Sequence, residues 1–220
     1  MRIGSVGVGR AVVGASLAAT AASTAGSRAT PAPRAAPAPR ASFAAHLAPR
    51  RPPSTDGTFE QRVAAMAERL HMHPGDLLAV MRFESGLRPD AVNPTSHAVG
   101  LIQLLPRNAA DLLGLPITPD RNARAVETFA AMSADEQLDY VEAYFEKVLG
   151  GRGADNLRDA YMAVFYPAAV GRGDGYVLGR ADDARAFGRA VYRQNAGLDA
   201  NADGVITAGE AAKRVSGVRG

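Results

Sequence analysis

Glu84 is the side chain best placed for acid–base chemistry. It lies in the run RFESG, residues 82–86, where an apolar helical segment is expected to end at the glycine. A carboxyl group walled by apolar side chains at a helix C-terminus meets both desolvation and the negative end of the helix dipole, and both favour its neutral form. Such a group can donate a proton near neutral pH, which is the first requirement for breaking a glycosidic bond.

The residues after Glu84 form an ordered set of motifs. FESGLRPDAVNP covers residues 83–94, and GLIQ covers residues 100–103. Over about residues 59–195, with the specific motifs confined to 83–106, the chain resembles the lytic transglycosylase family with the goose-type lysozyme fold. That family cleaves the β-1,4 bond between N-acetylmuramic acid and N-acetylglucosamine in peptidoglycan. The resemblance implies an all-α, lysozyme-like domain whose partner is a peptidoglycan glycan strand.

The resemblance also implies roles for individual residues. Glu84 matches the catalytic acid, which later acts as the base. The Gly-Leu-x-Gln motif lines the sugar groove in the family. The candidate substrate contacts in these motifs are Ser85, Ser96, Gly100, Leu101 and Gln103. For Ser96, the residue chemistry leaves two interpretations open, a contact with substrate or the closing of a turn.

A tyrosine on a later helix is a further candidate substrate contact. Many family members carry Ala-Tyr-Asn-x-Gly there, whereas this chain has AYMAVFYP at residues 160–167. Either Tyr161 or Tyr166 could therefore match the tyrosine that braces the acid or the substrate. The helical spacing of the apolar residues here also allows plain core packing for both rings.

The reaction implied by the resemblance needs one carboxyl group and no cofactor. Glu84 protonates the glycosidic oxygen and then accepts the proton of the C6 hydroxyl, which attacks to give a 1,6-anhydro product. An inverting hydrolase would need a second carboxylate about 6.5–9.5 Å away, and nothing in the sequence aims Asp90 or Asp111 at that position. The alternatives are a hydrolytic lysozyme acting on the same bond, or a non-catalytic wall-binding or structural protein of a phage particle or secretion apparatus.

A second motif lies near the C-terminus. DANADGVITAGE, residues 199–210, matches the twelve-position EF-hand calcium loop at its diagnostic places, with Gly204 at the sharp turn. Its oxygen ligands suit a hard dication, and Ca²⁺ fits better than Mg²⁺, which gives up its waters reluctantly. We expect a single structural calcium clip that fixes the C-terminus to the helix around Phe187, Val191 and Tyr192. The predicted ligands are Asp199, Asn201, Asp203, Val205 through its carbonyl, Thr207 and Glu210.

Helical patterns position both motifs. Capping boxes at Thr58 and Ser133 begin two predicted helices, and Pro74 begins a third that runs to Glu84. Residues 87–99 read as a loop, and Pro106 begins a short helix that ends at Gly114. No alternating segment of useful strand length occurs, so the predicted fold class is all-α.

Charge and composition divide the chain. Residues 1–58 carry seven arginines and one aspartate, whereas the remainder has 18 basic and 21 acidic residues. No basic stripe with interleaved aromatic residues occurs in the folded part, so nucleic acid is not an expected partner. The apolar stretch near the N-terminus is too weak for a transmembrane span, and it reads as a signal peptide or a disordered leader. The expected location is extracytoplasmic, in periplasm or cell wall or secreted, or on a virion.

Three regions follow from these patterns. Residues 1–57 form a leader and an Ala/Pro/Arg-rich tether, residues 58–196 a lysozyme-like transglycosylase domain, and residues 185–217 an EF-hand-like clip that overlaps its last helix. The chain lacks cysteine, which excludes disulfides and thiol chemistry. A monomer is expected.

Overall fold

The protein is described here by a computed structural model that covers residues 57–218. The predicted leader and tether lie outside these residues, apart from Gly57. The described part is mostly helical. Its helices are α1 (Phe59–Arg69), α2 (Pro74–Ser85), α3 (Pro106–Leu112), α4 (Arg121–Ala130), α5 (Ala134–Leu149), α6 (Leu157–Phe165), α7 (Ala186–Asn195) and α8 (Ala208–Ser216), and its strands are β1 (Val177–Arg180) and β2 (Val205–Thr207).

The predicted helix starts are confirmed by side-chain caps. Thr58 and Gln61 form a complete capping box at α1, as Ser133 and Glu136 do at α5. At α2, the His73 ring accepts a hydrogen bond from the Gly75 N–H, and the proline stands in the first turn. These caps satisfy backbone N–H groups that would otherwise lack partners. The predicted short helix from Pro106 and the loop before it are also present.

One continuous hydrophobic core holds the helices together. Its largest fully buried side chains include Phe129, Phe145, Met66, Leu77 and Met81. Helix α1 packs on α2 and α5, and α6 packs on α2. In the described part, no helix is both long and apolar enough to cross a membrane.

A small antiparallel sheet departs from the all-α expectation. β1 pairs with β2 through Val177–Thr207 and Arg180–Val205, with an irregularity in register between residues 177 and 179. The strands have only four and three residues, so neither is long enough to show a readable alternation. The prediction of a mainly helical domain is confirmed, whereas the absence of strands was wrong.

The C-terminal segment joins the main core. Ile206, Ala211 and Val215 are fully buried in the same cluster as the helices of the N-terminal half. Helix α8 packs mainly on α6 and also on α2, whereas the predicted clip placed it on the helix around Phe187. The face of α8 that meets these helices includes the buried residues Ala211 and Val215.

Helix α4 has no counterpart among the predicted helices. Asp120 precedes it but makes no capping hydrogen bond, and Ala125 and Phe129 are its only buried residues. The helix is held by tertiary contact with α3 instead. A short helix without cap signals is hard to recognise, because packing rather than local preference stabilises it.

Candidate active site

Glu84 lies in the last turn of α2, one residue before the end of the helix. Gly86 then terminates the helix in a left-handed conformation, with φ 65°. The residue as a whole is partly exposed, yet both carboxyl oxygens are inaccessible to solvent and have no hydrogen-bond partner among the described residues. The exposed surface therefore belongs to its other atoms. Burial raises the pKa of Glu84 from its ordinary 4.5 to about 8, so the group is protonated at neutral pH.

Two tyrosines lie near the acid, and one of them belongs to a cluster of aromatic rings. The Phe83 ring meets Tyr161 edge-on with centroids 5.4 Å apart, and Tyr161 stacks on Phe165 at 5.3 Å. Burial raises the pKa of Tyr161, and the nearby Glu84 charge raises it further. The same two causes, burial first, raise the pKa of Tyr144 to about 12. Glu84 thus sits close to two neutral phenols in an apolar setting.

Tyr144 was not recognised as a neighbour of Glu84 from the sequence. It lies in the buried stripe of α5, and its hydroxyl donates a hydrogen bond to the Ala163 carbonyl on α6, at 3.2 Å. A tyrosine within an apolar stripe is a usable signal, since a buried hydroxyl needs a partner. The sequence alone does not indicate that this tyrosine lies near Glu84.

The two candidate tyrosines are separated by the fold. Tyr161 is buried near Glu84, whereas Tyr166 is partly exposed beyond the end of α6. The Tyr166 ring faces Tyr176 at 6.4 Å and Phe187 at 6.3 Å between centroids. Of the two, Tyr161 is therefore the nearer to Glu84, and its role in bracing the acid stays a prediction, whereas Tyr166 lines a cavity beyond the end of α6.

Ser85 connects α2 to the GLIQ segment. Its buried hydroxyl lies 3.1 Å from the Met81 carbonyl and 3.0 Å from the Leu101 carbonyl, as the donor to both. Gln103 is also buried, and its side-chain amide donates to the carbonyls of Ala91 and Gly100. Both predicted substrate contacts are thus used to hold the loop beside Glu84, and their contact with sugar stays a prediction.

Ser96 closes a turn in the same loop. The Asn93 side-chain oxygen accepts hydrogen bonds from the N–H groups of Thr95 and Ser96, and the Ser96 hydroxyl accepts one from Ala98. The turn interpretation of Ser96 therefore describes its geometry. A role in binding substrate stays a prediction.

Gln137 is a buried residue on α5 that fastens this loop, and its role was not recognised from the sequence. Its amide nitrogen donates to the carbonyls of Pro89 and Phe129, at 2.8 and 2.7 Å, and its oxygen accepts from the Leu101 N–H at 2.9 Å. Gly100, at φ 80°, lies so close that a Cβ there would collide with the Gln137 amide. The sequence signal for this role was a polar residue within the apolar stripe of α5, because a buried amide needs hydrogen-bond partners.

The predicted calcium loop is already ordered by its own side chains. The Asp199 carboxylate accepts hydrogen bonds from the N–H groups of Asp203 and Gly204 and from the Tyr192 hydroxyl. The Asp203 carboxylate accepts from the Val205 N–H, at 2.8 Å. Asn201 also takes part, since its side chain bonds to that of Asp203. These bonds hold the turn at residues 199–205, and calcium binding by this loop stays a prediction.

Glu210 caps the start of α8. One carboxylate oxygen accepts from both the Thr207 N–H and its hydroxyl, and the other oxygen is buried with no hydrogen-bond partner among the described residues. Within residues 57–218, no group of three or more His, Cys, Asp or Glu side chains is gathered to hold a metal ion. A cation at this loop would require the Glu210 side chain to leave Thr207.

The structure is a mainly helical domain in which burial raises the pKa of one carboxyl group, that of Glu84. Residues 62–147 match the family model described as Transglycosylase SLT domain. The matched stretch contains Glu84, the GLIQ segment and Gln137, and it indicates peptidoglycan cleavage of the lytic transglycosylase type. Searches of curated proteins and of solved structures found no match.

A pair of glycine substitutions tests the fit of the loop against α5. Gly100 and Gly114 both have positive φ, but a Cβ at Gly114 meets nothing within 4 Å. Gly114→Ala should cost only the backbone strain, about 1 kcal/mol, whereas Gly100→Ala should cost about 1–3 kcal/mol more because it also collides with Gln137. Urea denaturation measures both, and Gln137→Ala should recover part of the additional loss in a double-mutant cycle. Equal losses at the two glycines would contradict the close fit.

The buried acid also predicts how stability depends on pH. The unfolded chain ionises Glu84 near pH 4.5, while the folded state holds the proton until about pH 8. The folded state then binds more protons between these values, so its free energy of unfolding falls across this window, by ~5 kcal/mol in all. The Glu84→Gln variant has no ionisable group at this position, so its unfolding free energy should not fall for this reason. Between pH 4 and pH 9, the unfolding free energy of the variant should therefore rise relative to that of the parent.

The comparison requires a control for net charge. Glu127→Gln removes an exposed carboxylate on α4 and serves this purpose. If the parent and Glu84→Gln gave parallel curves of unfolding free energy against pH, the carboxyl group would not be held neutral by burial.

Proposed function

We propose that the protein is a lytic transglycosylase that cleaves the β-1,4 bond between N-acetylmuramic acid and N-acetylglucosamine, with Glu84 as general acid and then base. The observation that carries the proposal is the solvent-inaccessible Glu84 carboxyl group, without a hydrogen-bond partner and with a pKa near 8. The match of the surrounding residues to a transglycosylase family model supports the same reaction class. A protein with this substrate acts outside the cytoplasm, at the cell wall.

The first step breaks the glycosidic bond. The Glu84 proton passes to the bridging oxygen as the bond from that oxygen to the muramic anomeric carbon breaks. The carbonyl oxygen of the neighbouring 2-acetamido group bonds to the anomeric carbon and stabilises the developing positive charge. Glu84 is left as a carboxylate, an unfavourable state in its apolar site and therefore a strong base.

The second step closes the anhydro ring. The Glu84 carboxylate accepts the proton of the muramic C6 hydroxyl, and that oxygen attacks the anomeric carbon while the acetamido oxygen leaves. The product is a 1,6-anhydromuramic end, no water is consumed, and Glu84 is protonated again. One carboxyl group therefore serves both steps.

The surroundings of the other acidic candidates favour this route over inverting hydrolysis. Inversion needs a second carboxylate that activates water. Asp111 is engaged with Arg121, with 2.6 Å between the guanidinium nitrogen and the carboxylate oxygen. Asp90 is exposed at the surface of the loop after α2. Neither supplies a buried base opposite Glu84.

The inaccessible carboxyl oxygens add a requirement to the mechanism. A glycosidic oxygen can reach the proton only after part of the wall around Glu84 moves aside. Residues 87–97 are the part of the loop best suited to move, since nearly all of them are at least partly exposed, whereas the following residues, among them Val99 and Leu101, are buried in the core. We propose that substrate displaces this loop and that its return excludes water from the acetamido intermediate.

We further propose that residues 199–210 bind one structural Ca²⁺, and no cofactor takes part in catalysis. Asp199, Asn201, Asp203 and Glu210 would contribute side-chain oxygens, Val205 its carbonyl, and Thr207 its hydroxyl or a bound water. The buried, unpaired oxygen of Glu210 supports the proposal, because ligation would compensate its burial. Calcium would link the two ends of β2 and so fix the start of α8.

Replacement of the acid tests the catalytic proposal. Glu84→Gln keeps the size and burial of the side chain but cannot donate the proton, so release of soluble fragments from purified sacculi should fall by at least about 100-fold. Glu127→Gln is the matched control and should keep parental activity. Substantial cleavage by a folded Glu84→Gln variant would contradict the proposed role.

Product analysis separates the remaining candidates. Mass spectrometry should find 1,6-anhydromuramic ends, which lack the elements of water relative to reducing ends. Reducing-end products would indicate a hydrolytic lysozyme with the same acid. Binding to sacculi without any released fragment would indicate the non-catalytic wall-binding or structural protein.

Calcium should stabilise the protein by mass action. Protein treated with chelator and then given Ca²⁺ at about 100 times the Kd should gain ~3 kcal/mol in unfolding free energy, seen as a higher Tm. Glu210→Gln should abolish the gain, although glutamine can still cap α8. Mg²⁺ at equal concentration is the ion control. An unchanged Tm together with no calorimetric heat would exclude the site.

A further inference from the structure

We propose that the cavity between β1, α7 and the end of α6 binds an N-acetylated amino sugar of the glycan strand. This inference rests on the proposed function, because it names a binding site for the same polymer. The cavity has a volume of about 590 Å³, which suits a small ligand. Its lining residues include Tyr166, Tyr176, Phe187, Arg180, Asp182 and Asp183. All of these lie outside the residues that match the family model.

The three aromatic rings leave surface for a ligand. Tyr166 is tilted by 59° to Tyr176 and by 47° to Phe187, so the rings do not stack on one another. All three side chains are partly exposed, and neither tyrosine hydroxyl forms a hydrogen bond within the described residues. A pyranose has an apolar face of C–H groups and a polar edge of hydroxyl and acetamido groups. Tilted rings that carry free hydroxyls meet both requirements.

Two charged groups at the cavity are available to a ligand. Arg180 and Asp182 are exposed, and neither forms an ion pair in the part of the chain that the structure describes. Asp183, by contrast, is occupied with the backbone and guanidinium of Arg185. Asp182 can accept hydrogen bonds from sugar hydroxyls. Arg180 is suited to the carboxylate of a muramic unit or of the peptide attached to it.

The walls of the cavity are fixed without a ligand. A Cβ at Gly179 would meet the Tyr192 nitrogen at 2.8 Å and the Gly188 carbonyl at 2.9 Å, so β1 lies directly on α7. The Arg189 guanidinium donates hydrogen bonds to the carbonyls of Asp183 and Ala184, which hold the connecting loop. A preformed cavity loses little conformational entropy when a ligand binds.

The location of the cavity suits a strand that also reaches Glu84. Tyr166 directly follows α6, and Tyr161 on the same helix lies beside Phe83 and Glu84. Tyr166 is five positions after Tyr161 in the chain, which corresponds to about 7.5 Å along a helix axis. A sugar in the cavity would therefore anchor the strand a short distance from the bond to be cleaved.

Calorimetric titration of the full chain, in the Glu84→Gln background to prevent turnover, tests the proposal. The probes are an oligomer of β-1,4-linked N-acetylglucosamine, which lacks carboxylates, and a muropeptide, which carries them. Tyr176→Ala should raise the Kd for both probes about tenfold, a loss typical of one good ring contact. Arg180→Ala should raise the Kd for the muropeptide alone by a similar factor. Arg193→Ala, an exposed arginine on α7 outside the cavity, should leave both values unchanged.

The possible results distinguish this proposal from the catalytic one. Unchanged Kd values in both cavity variants would overturn the cavity proposal even if the parent cleaves sacculi. Binding that depends on Tyr176 and Arg180, in a parent that releases no fragments, would support the cavity while the proposed reaction fails. If Tyr176→Ala lowers the Tm strongly, Tyr176→Leu replaces it, and the exposed Arg180 provides an independent test.

Discussion

The uncompensated burial of the Glu84 carboxyl group is the constraint on which the site depends. No donor within the described residues stabilises its anion, so the group is kept neutral by the cost of desolvation alone. The tyrosines beside it have raised pKa values for the same reason and stay neutral too. Such an acid keeps its raised pKa only while the residues around it exclude water. A small opening would admit water and return its pKa toward the ordinary value.

That closure is provided by side chains that bind the backbone of a loop. The Leu101 peptide is held at its carbonyl by Ser85 and at its N–H by Gln137, which also binds the carbonyls of Pro89 and Phe129. The loop has almost no regular secondary structure, and these bonds add to a few backbone pairs within it, such as Val99 with Leu104 and Asn93 with Ala98. Because Gln137 fills the space beside Gly100, the glycine is required on two counts, its positive φ and its lack of a Cβ. Ser85, Gly100 and Gln137 thus serve first to hold the loop next to the acid in place.

Much of the fold could be predicted from the sequence where the signals are local. The capping boxes at Thr58 and Ser133 and the glycine after Glu84 depend on interactions within a few residues, and their predictions are confirmed. Gln137, Tyr144 and the two short strands depend on contacts with residues distant in the chain. The residue type indicates that a buried amide or hydroxyl needs a partner, but only the three-dimensional packing selects which one. The uncertainty between Tyr161 and Tyr166 had the same origin.

The C-terminal segment is joined to the acid and to the cavity by shared elements. β2 lies within residues 199–210 and pairs with β1, which forms one wall of the cavity. Directly after β2, the N–H groups of Ala208 and Gly209 bind the carbonyls of Tyr176 and Asp174, and α8 continues onto α6 and α2. This segment therefore shares contacts with Tyr176 and β1 on one side and with the helices that carry Tyr161 and Glu84 on the other. Because these contacts are shared, the order of residues 199–210, the position of the cavity wall and the positions of α2 and α6 all depend on the same packing.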